Sequence, residues 1–460
     1  MSKKTSVLIL IIVTLVNIRH LRANDFARFE LGARAATLGG AFVARADDVS
    51  AVYYNPAGMA FMGGIRFKTN MLFNLMKTDA YDLKTDWTYK SDPMQIQGAF
   101  YLTLQLLDRL TFGIGYFNPY LNDMEWPSNW PGNPLCIESK LSTSHFRSTL
   151  AVKVVESFSV ALGVDLVSAR LDWRHAQIFP LESNWNYGRV VDSRYETKGT
   201  GLGFVAGLLW KTDKGFQIGA RYKHKVRIDL EGENRYFYRG NWGTEDIIDI
   251  PNLESYPLNL AKLLREFYVP QDVTSRVTLP AELVLGIMIT PINRCAIQLD
   301  FQWTGWSEFG NWEFRPRNLD EDVNWDFIEN YNDFFGVYPK YDRQGIELNW
   351  KDTWSIKFGL EFCVSKVIAL RTGYAYSPSA LKDQSPTAIH PELNHHIISF
   401  GLGYEGPLFS IWDYEKTGGL SFDAFFQYMI SKEQTSSLPG FEFSYDADRW
   451  VVGIGVGFNF

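Results

Sequence analysis

Charged side chains recur singly between apolar neighbours along this chain. Arg221 and Lys223 lie in "GFQIGARYKHKVRIDL", Asp300 in "CAIQLDFQWT", and Lys357 and Glu361 in "DTWSIKFGLEF", with Glu282 and Arg371 in similar surroundings. A cation so placed can hydrogen-bond a carboxylate head group. Glu282, Asp300 and Glu361 share the face of Arg221, Lys223, Lys357 and Arg371, so an internal charge network is the stronger reading of the set. Other chemistry is poorly provided for. "HPELNHH" (His390 to His396) matches no standard metal-ligand spacing and falls in a connecting segment. "GLGFVAG" sits inside an alternating stretch and lacks the lysine of a phosphate loop. There is no G-x-S-x-G and no obvious Ser/His/Asp arrangement, so the chain reads as a non-enzyme with no cofactor. Cys136, Cys295 and Cys363 are far apart, which supports neither a disulfide framework nor a zinc site.

The elements that carry these charges are strands. In "RWVVGIGVGFNF" the residues Trp450, Val452, Ile454, Val456, Phe458 and Phe460 are large and apolar, and those between them are mostly small or polar. Period two puts the two sets on opposite faces. One face is greasy over a length that suits a tilted transmembrane strand of ~9–11 residues, with aromatics at both ends. The same alternation sets Trp354, Ile356, Phe358, Leu360 and Phe362 against Ser355, Lys357, Gly359 and Glu361. Isolated charges on the small face would be expensive in a dry core and natural in a wet lumen.

Such segments fall near 64–75, 94–107, 109–120, 144–155, 157–171, 199–211, 215–230, 277–290, 294–305, 350–363, 366–378, 394–405, 418–431 and 447–460. Fourteen is an even number, as single-chain bacterial barrels require. Tight turns such as "LDR", "VES" and "TPIN" alternate with long connections, the pattern of periplasmic turns and extracellular loops. "EGPLFSIWDYEKT" (Glu405 to Thr417) is the misfit, a longer stretch on the short side. The fold class is therefore all-β, a 14-stranded antiparallel transmembrane β-barrel, whose closure leaves no exposed edge. Both termini fall on the short-turn side, and Phe460 is an aromatic end suited to assembly by the barrel-assembly machinery.

Residues 1–23 read as a signal peptide: Lys3 and Lys4, then the apolar run Val7 to Val16, then Ala23 at the cleavage point. The run is too short to span a bilayer as a helix. Removal takes four basic and no acidic residues, moving the net charge from −7 to −11. An acidic chain without a basic block argues against nucleic acid as partner. The expected location is the bacterial outer membrane, with lipid bilayer and lipopolysaccharide as surroundings and the protein a monomer.

The small-residue run "GARAATLGGAFVARADDVSAVYYNPAGMA" (Gly32 to Ala60) does not alternate. It resembles the N-terminal segment of FadL-type outer-membrane transporters of long-chain fatty acids and aromatic hydrocarbons. "GLGFVAGLLWKTDKGFQIGARYKHKVRIDLEG" (Gly201 to Gly232), "LPAELVLGI" (Leu279 to Ile287), "DFQWTGWSEF" (Asp300 to Phe309) and "NWKDTWSIKFGL" (Asn349 to Leu360) are similar to the same family. The resemblance implies that residues 24–62 form an N-terminal plug, or hatch, inside the lumen of a barrel over 63–460. Asn55, Pro56 and Ala57 match the family's N-P-A in the hatch and would be gate elements there; the alternative is that "NPAG" is merely a turn feeding the first strand. It also implies a third strand kinked inward at "LTFGIGYFNPY", with Phe117, Asn118 and Pro119 as kink candidates; a Pro cannot donate to a neighbouring strand. Pro119 equally suits a strand end.

The implied function is passive import of a long-chain fatty acid or other hydrophobic small molecule: capture at extracellular loops, an interior pocket, and release gated by the plug, either laterally or into the periplasm. Candidate capture residues are Trp126 and Trp130 in "MEWPSNWPG" and Phe267, with Leu260, Leu263, Leu264 and Tyr268, in a loop of helical spacing. Packing of the loops against one another is the alternative for these. Arg221, Lys357 and Arg371 are candidates for a carboxylate head group. Arg170 sits where the family's interior site has a basic residue, although its parity matches outward-facing Phe158, Val160 and Leu162. Two other functions compete. A lipid hydrolase would need a Ser-His pair at one depth, which no strand offers, and a structural, adhesive or receptor barrel would use its loops alone.

Overall fold

The computed structural model describes residues 30–178, 190–240, 243–246, 270–316, 344–346, 348, 350–382, 388–390, 393–407, 419–436 and 440–460. Alternation dictates the wall. Its strands are β1 (Ile65–Asp82), β2 (Met94–Leu107), β3 (Leu110–Phe117, resuming at Leu121–Glu125), β4 (Glu138–Val155), β5 (Phe158–Ile178), β6 (Val190–Lys211) and β7 (Phe216–Lys223, resuming at Val226–Gly240). β8 (Gln271–Leu279, resuming at Glu282–Ile292), β9 (Cys295–Thr304), β10 (Thr353–Cys363), β11 (Ile368–Ser377), β12 (His395–Pro407), β13 (Gly419–Ser431) and β14 (Phe443–Asn459) complete it. Each pairs antiparallel with its chain neighbours, and β1 closes on β14 from Arg66↔Asn459 to Asp82↔Phe443, giving a closed barrel of 14 strands.

Facing follows the parity expected from sequence. Val452 and Ile454 are exposed on the outer face, and Val451, Gly453 and Gly455 are buried within. Trp354, Ile356, Phe358 and Phe362 are likewise exposed. Several strands run further at the extracellular end than apolar alternation indicates: β4 begins at Glu138, β5 reaches Ile178 and β6 begins at Val190. Above the lipid band the outer face carries Arg170, Glu196 and Lys198, and a wet face gives no apolar signal to read. The misfit segment is mostly outside the described residues, since β12 pairs as far as Pro407↔Gly419 and 408–418 are not described.

Residues 30–62 occupy the lumen. They form two short helices, α1 (Ala33–Thr37) and α2 (Ala51–Tyr54), and a 3-10 turn (Pro56–Phe61), almost wholly buried. The segment is too small to make a core of its own, so it borrows one from the wall: Phe42, Val52, Tyr53, Tyr54 and Met59 pack with Tyr101, Phe117 and Leu209. Close approach requires glycine on the wall. A Cβ on Gly219 would overlap the Val43 carbonyl, and one on Gly359 would come within 2.8 Å of Leu38 Cβ.

The outward run Phe158 to Leu166 on β5 has Leu162 at its centre, 71% exposed to the surroundings. Replacing Leu162 by Arg is expected to destabilise the barrel by ~2–4 kcal/mol, as a cation at bilayer midplane does. Urea unfolding in lipid vesicles measures this, and an unchanged midpoint would be inconsistent with lipid contact at that face.

Candidate functional site

The lumen divides into a charged lower part, filled by residues 30–62, and an apolar upper part. Below, wall and plug exchange ion pairs. Arg371 on β11 bridges Glu361 and Asp423, each at 2.6 Å. Arg45 reaches Glu361 at 2.7 Å and Asp47 at 2.9 Å, and Lys68 on β1 bridges Asp48 and Asp423, each at 2.6 Å. Lys357 holds Glu30 at 2.7 Å, and Tyr54 donates to the same carboxylate. Neutral contacts complete the seat. Asp300 accepts from the Phe42 and Val43 amides at 2.8 and 2.9 Å, Gln427 donates to the Ala36 carbonyl, and Ser159 to that of Ala57. Asn55 accepts from Ala57 N at 3.2 Å and donates to the carbonyls of Val43 and Leu208. One side chain therefore caps the Pro56–Phe61 turn and ties it to β6.

A second cluster lies beside the break in β3. Arg147 forks onto Asp165 and also donates to the Val52 and Tyr53 carbonyls, each at 3.2 Å. Arg221 donates to Tyr53 O at 3.0 Å and pairs with Glu282 at 2.6 Å. Both cations thus satisfy carbonyls at the end of α2, where unpaired acceptors gather. Lys223 joins Glu282 at 2.5 Å and donates to the Tyr120 hydroxyl.

The break itself runs from Asn118 to Tyr120. Pro119 has no N–H, and Asn118 substitutes its side chain for ladder bonds, donating to Thr143 O at 2.9 Å and Ser144 Oγ at 2.8 Å. Below the break β3 pairs with both neighbours, its last partner on β2 being Ala99↔Phe117. Above it, Leu121–Glu125 pairs with β4, and no pairing with β2 is formed among the described residues. Met94 to Gly98 therefore border a gap in the wall, crossed at the top by Glu125 N donating to Ser91 Oγ at 3.2 Å. Met71, Leu75, Met94, Tyr116 and Phe146 are exposed around it on the outer face, so the gap opens within the lipid-facing band. From inside, Tyr53 meets Phe117 edge-on at 5.0 Å.

Above the plug the lumen is lined by Leu171, Trp173, Ile228, Val277, Trp306 and Phe314, among other buried apolar residues. Sequence reasoning missed this, having read inward positions as polar. Parity hid it: the even positions that face outward at Ile218 and Tyr222 turn inward past the break between Lys223 and Val226, so Ile228 and Leu230 read as lipid-facing in the sequence.

Among the sequence candidates, Arg221, Lys357 and Arg371 all face inward, and each is engaged by a carboxylate, as the charge-network alternative required. Arg170 is a correction. Its side chain is 57% exposed on the outer face, paired with Asp172 at 2.8 Å, because it shares the parity of Leu162 and Leu166. Trp126 and Trp130 are a second correction. They are not an exposed capture patch but are 2% and 0% exposed, stacked at 4.7 Å, their indole N–H groups donating to Ala388 O and Cys136 O. Phe267, with Leu260, Leu263, Leu264 and Tyr268, lies outside the described residues. His390 is buried against Trp350, and no metal-binding group exists among the described residues.

Comparison with known proteins agrees with this architecture. A family model described as outer membrane protein transport protein (OMPP1/FadL/TodX) matches residues 23–460. The 47 kDa outer membrane protein of Pasteurella multocida is 23% identical over 291 residues, 62% of this chain and 55% of that protein. The long-chain fatty acid transport protein of Escherichia coli is 22% identical over 409 residues, 83% of this chain and 82% of that one. The crystal structure of a Pseudomonas aeruginosa FadL homologue superimposes with a TM-score of 0.73 at 17% identity, covering 95% of this chain and 98% of its own.

Asp300→Ala would leave the Phe42 and Val43 amides buried without an acceptor, at about 1–3 kcal/mol each. Hydrogen exchange of residues 40–46 should accelerate, with exchange of the wall strands unaltered; equal protection in both proteins would refute the seat. Asp47 gives a pH signature. Burial alone would raise its carboxyl, but Arg34 and Arg45 outweigh that and hold it well below the usual carboxylate range. Its stabilisation is therefore complete above an unfolded value of ~3.9 and lost as pH falls below it. Asp47→Asn should destabilise at pH 7 and differ less from the parent at about pH 3, measured by urea unfolding at both.

Proposed function

The chain belongs to the OMPP1/FadL/TodX family of outer membrane transport proteins, and from that premise we propose that it imports long-chain fatty acids or similar hydrophobic molecules by sideways release into the membrane. Family membership makes it an outer-membrane transporter of hydrophobic compounds and not an enzyme. The substrate and the route are our reading.

One observation carries it: below a buried apolar cluster in the upper lumen, the β2–β3 ladder stops at Ala99↔Phe117, at the height of exposed Met71, Met94 and Phe146. A lumen meant for ions would be polar throughout. The fatty-acid class is favoured by the Escherichia coli relative, named a long-chain fatty acid transport protein. A molecule captured by the extracellular loops enters the aromatic chamber and descends until the plug stops it. Tyr53 against Phe117 forms the inner edge of the gap, so a small shift of α2 gates the exit. Asn55, Pro56 and Ala57 follow α2 directly and, through Asn55, tie it to β6. On this reading the export signal is residues 1–23, the hatch begins at residue 24, and the protein works as a monomer.

Tethering tests the gate. Ser159 on β5 donates to the Ala57 carbonyl at 2.7 Å, just after α2, so the pair Ala57→Cys and Ser159→Cys is used to tether the plug to the wall, with disulfide formation checked by mass. In proteoliposomes, with the native cysteines changed to serine, oleate flux should fall several-fold on oxidation and recover on reduction. Flux indifferent to the lock would remove the gating role. A parent protein that conducts ions and passes no oleate would remove the transport reading itself.

A further inference from the structure

Among the described residues, two lumen-facing amides beside the gap lack the partners that burial demands. Gln97 on β2 is 2% exposed, and neither its side-chain oxygen nor its nitrogen has a hydrogen-bond partner. Asn70 on β1, also 2% exposed, uses its oxygen to accept from Ala33 N at 3.0 Å, while its NH2 group is unpaired. The registers Asn70↔Ala99 and Leu72↔Gln97 make the two residues diagonal neighbours on one face, ~7–8 Å apart. Ala99 is the last β2 residue zipped to β3, so Gln97 is the first inward side chain on the unzipped edge. An unsatisfied buried amide is costly and asks for an explanation.

We propose that Gln97 and Asn70 form an uncharged clasp that reads the oxygen-bearing head of an otherwise apolar molecule as it leaves through the gap. This rests on the sideways-release reading and adds the group that discriminates among hydrophobes. Together the pair offers two NH2 donors and one carbonyl acceptor, a set that suits a carboxyl group and finds nothing to bind on a hydrocarbon. The nearby cation cannot serve instead, because Lys68 is held by Asp48 and Asp423. A polar clasp discriminates better than an apolar pocket, since the wrong ligand leaves its amides unpaired.

The test is a ratio, the flux of oleic acid over that of toluene, in proteoliposomes of the full-length protein. Gln97→Leu should lower the ratio about tenfold, in line with the loss of one or two buried hydrogen bonds. Asn70→Asp, which keeps the acceptor for Ala33 N but turns the donor into a repelling oxygen, should lower it at least as far. Gln97→Met, unbranched and of similar volume, replaces the leucine variant if that fails to fold by heat-modifiable mobility. An unchanged ratio in the folded variants overturns the clasp and leaves the amides as holders of structural water. Wild-type protein that passes neither probe overturns the sideways-release reading on which the clasp rests.

Discussion

A strand in lipid has no water to satisfy its backbone, so every N–H and C=O on the wall must find a neighbouring strand. That constraint closes β1 on β14 over seventeen residue pairs, Arg66↔Asn459 through Asp82↔Phe443. It also makes the β2–β3 gap the most informative place in the molecule. At Asn118 a side-chain amide stands in for ladder bonds, and Pro119 removes a donor that would otherwise be orphaned. The sequence there contains the means of opening the wall without leaving β4 unpaired.

Closure creates a second problem, a lumen that must be either filled or wet. The lower half is filled by a segment rich in alanine and glycine, pressed against wall glycines such as Gly219 and Gly359. Its charges are compensated with little slack: Arg371, Lys68 and Arg45 each touch two carboxylates. Removing one partner of a buried pair generally costs about 3–5 kcal/mol because the other charge is left stranded. Such a network holds the body of the plug to the wall, which is why the gating proposed above is confined to α2.

Much of this was legible in the sequence. Parity along "RWVVGIGVGFNF" decided which side chains face lipid, because period two has only two answers. The run before β1 stood out only by failing to alternate; its role as a plug, and an inward break at Asn118-Pro119 in place of a plain strand end, came from the family resemblance. What was not legible depended on partners distant in the chain. Arg170 has the right type for an interior site and the wrong parity. Trp126 and Trp130 lie in a connection, where exposure is the usual expectation, yet they stack inward under Phe443 and Tyr445. Engagement of Lys357 by Glu30 joins residues 327 apart in sequence, and no local pattern encodes it. Gln97 alternates like any inward residue, and only the absence of a partner among the described residues distinguishes it.

The sideways release proposed above rests on comparing two exits. Below the apolar chamber lies the charged seat of the plug, around Arg147, Asp165, Arg221 and Glu282. Carrying a chain through this buried, charged seat sets its methylenes against ion pairs in place of apolar side chains; at ~0.8 kcal/mol of lost apolar burial each, about a dozen of them would face a rise near 10 kcal/mol. Leaving through the gap moves the same chain from side chains such as Phe117 to lipid tails, with no comparable loss of burial. Binding energy at the chamber need only exceed the cost of extraction from the outer surface, and no nucleotide is required. On that proposal the ion-paired body of the plug bars polar solutes below, and only α2 need shift to open the apolar exit.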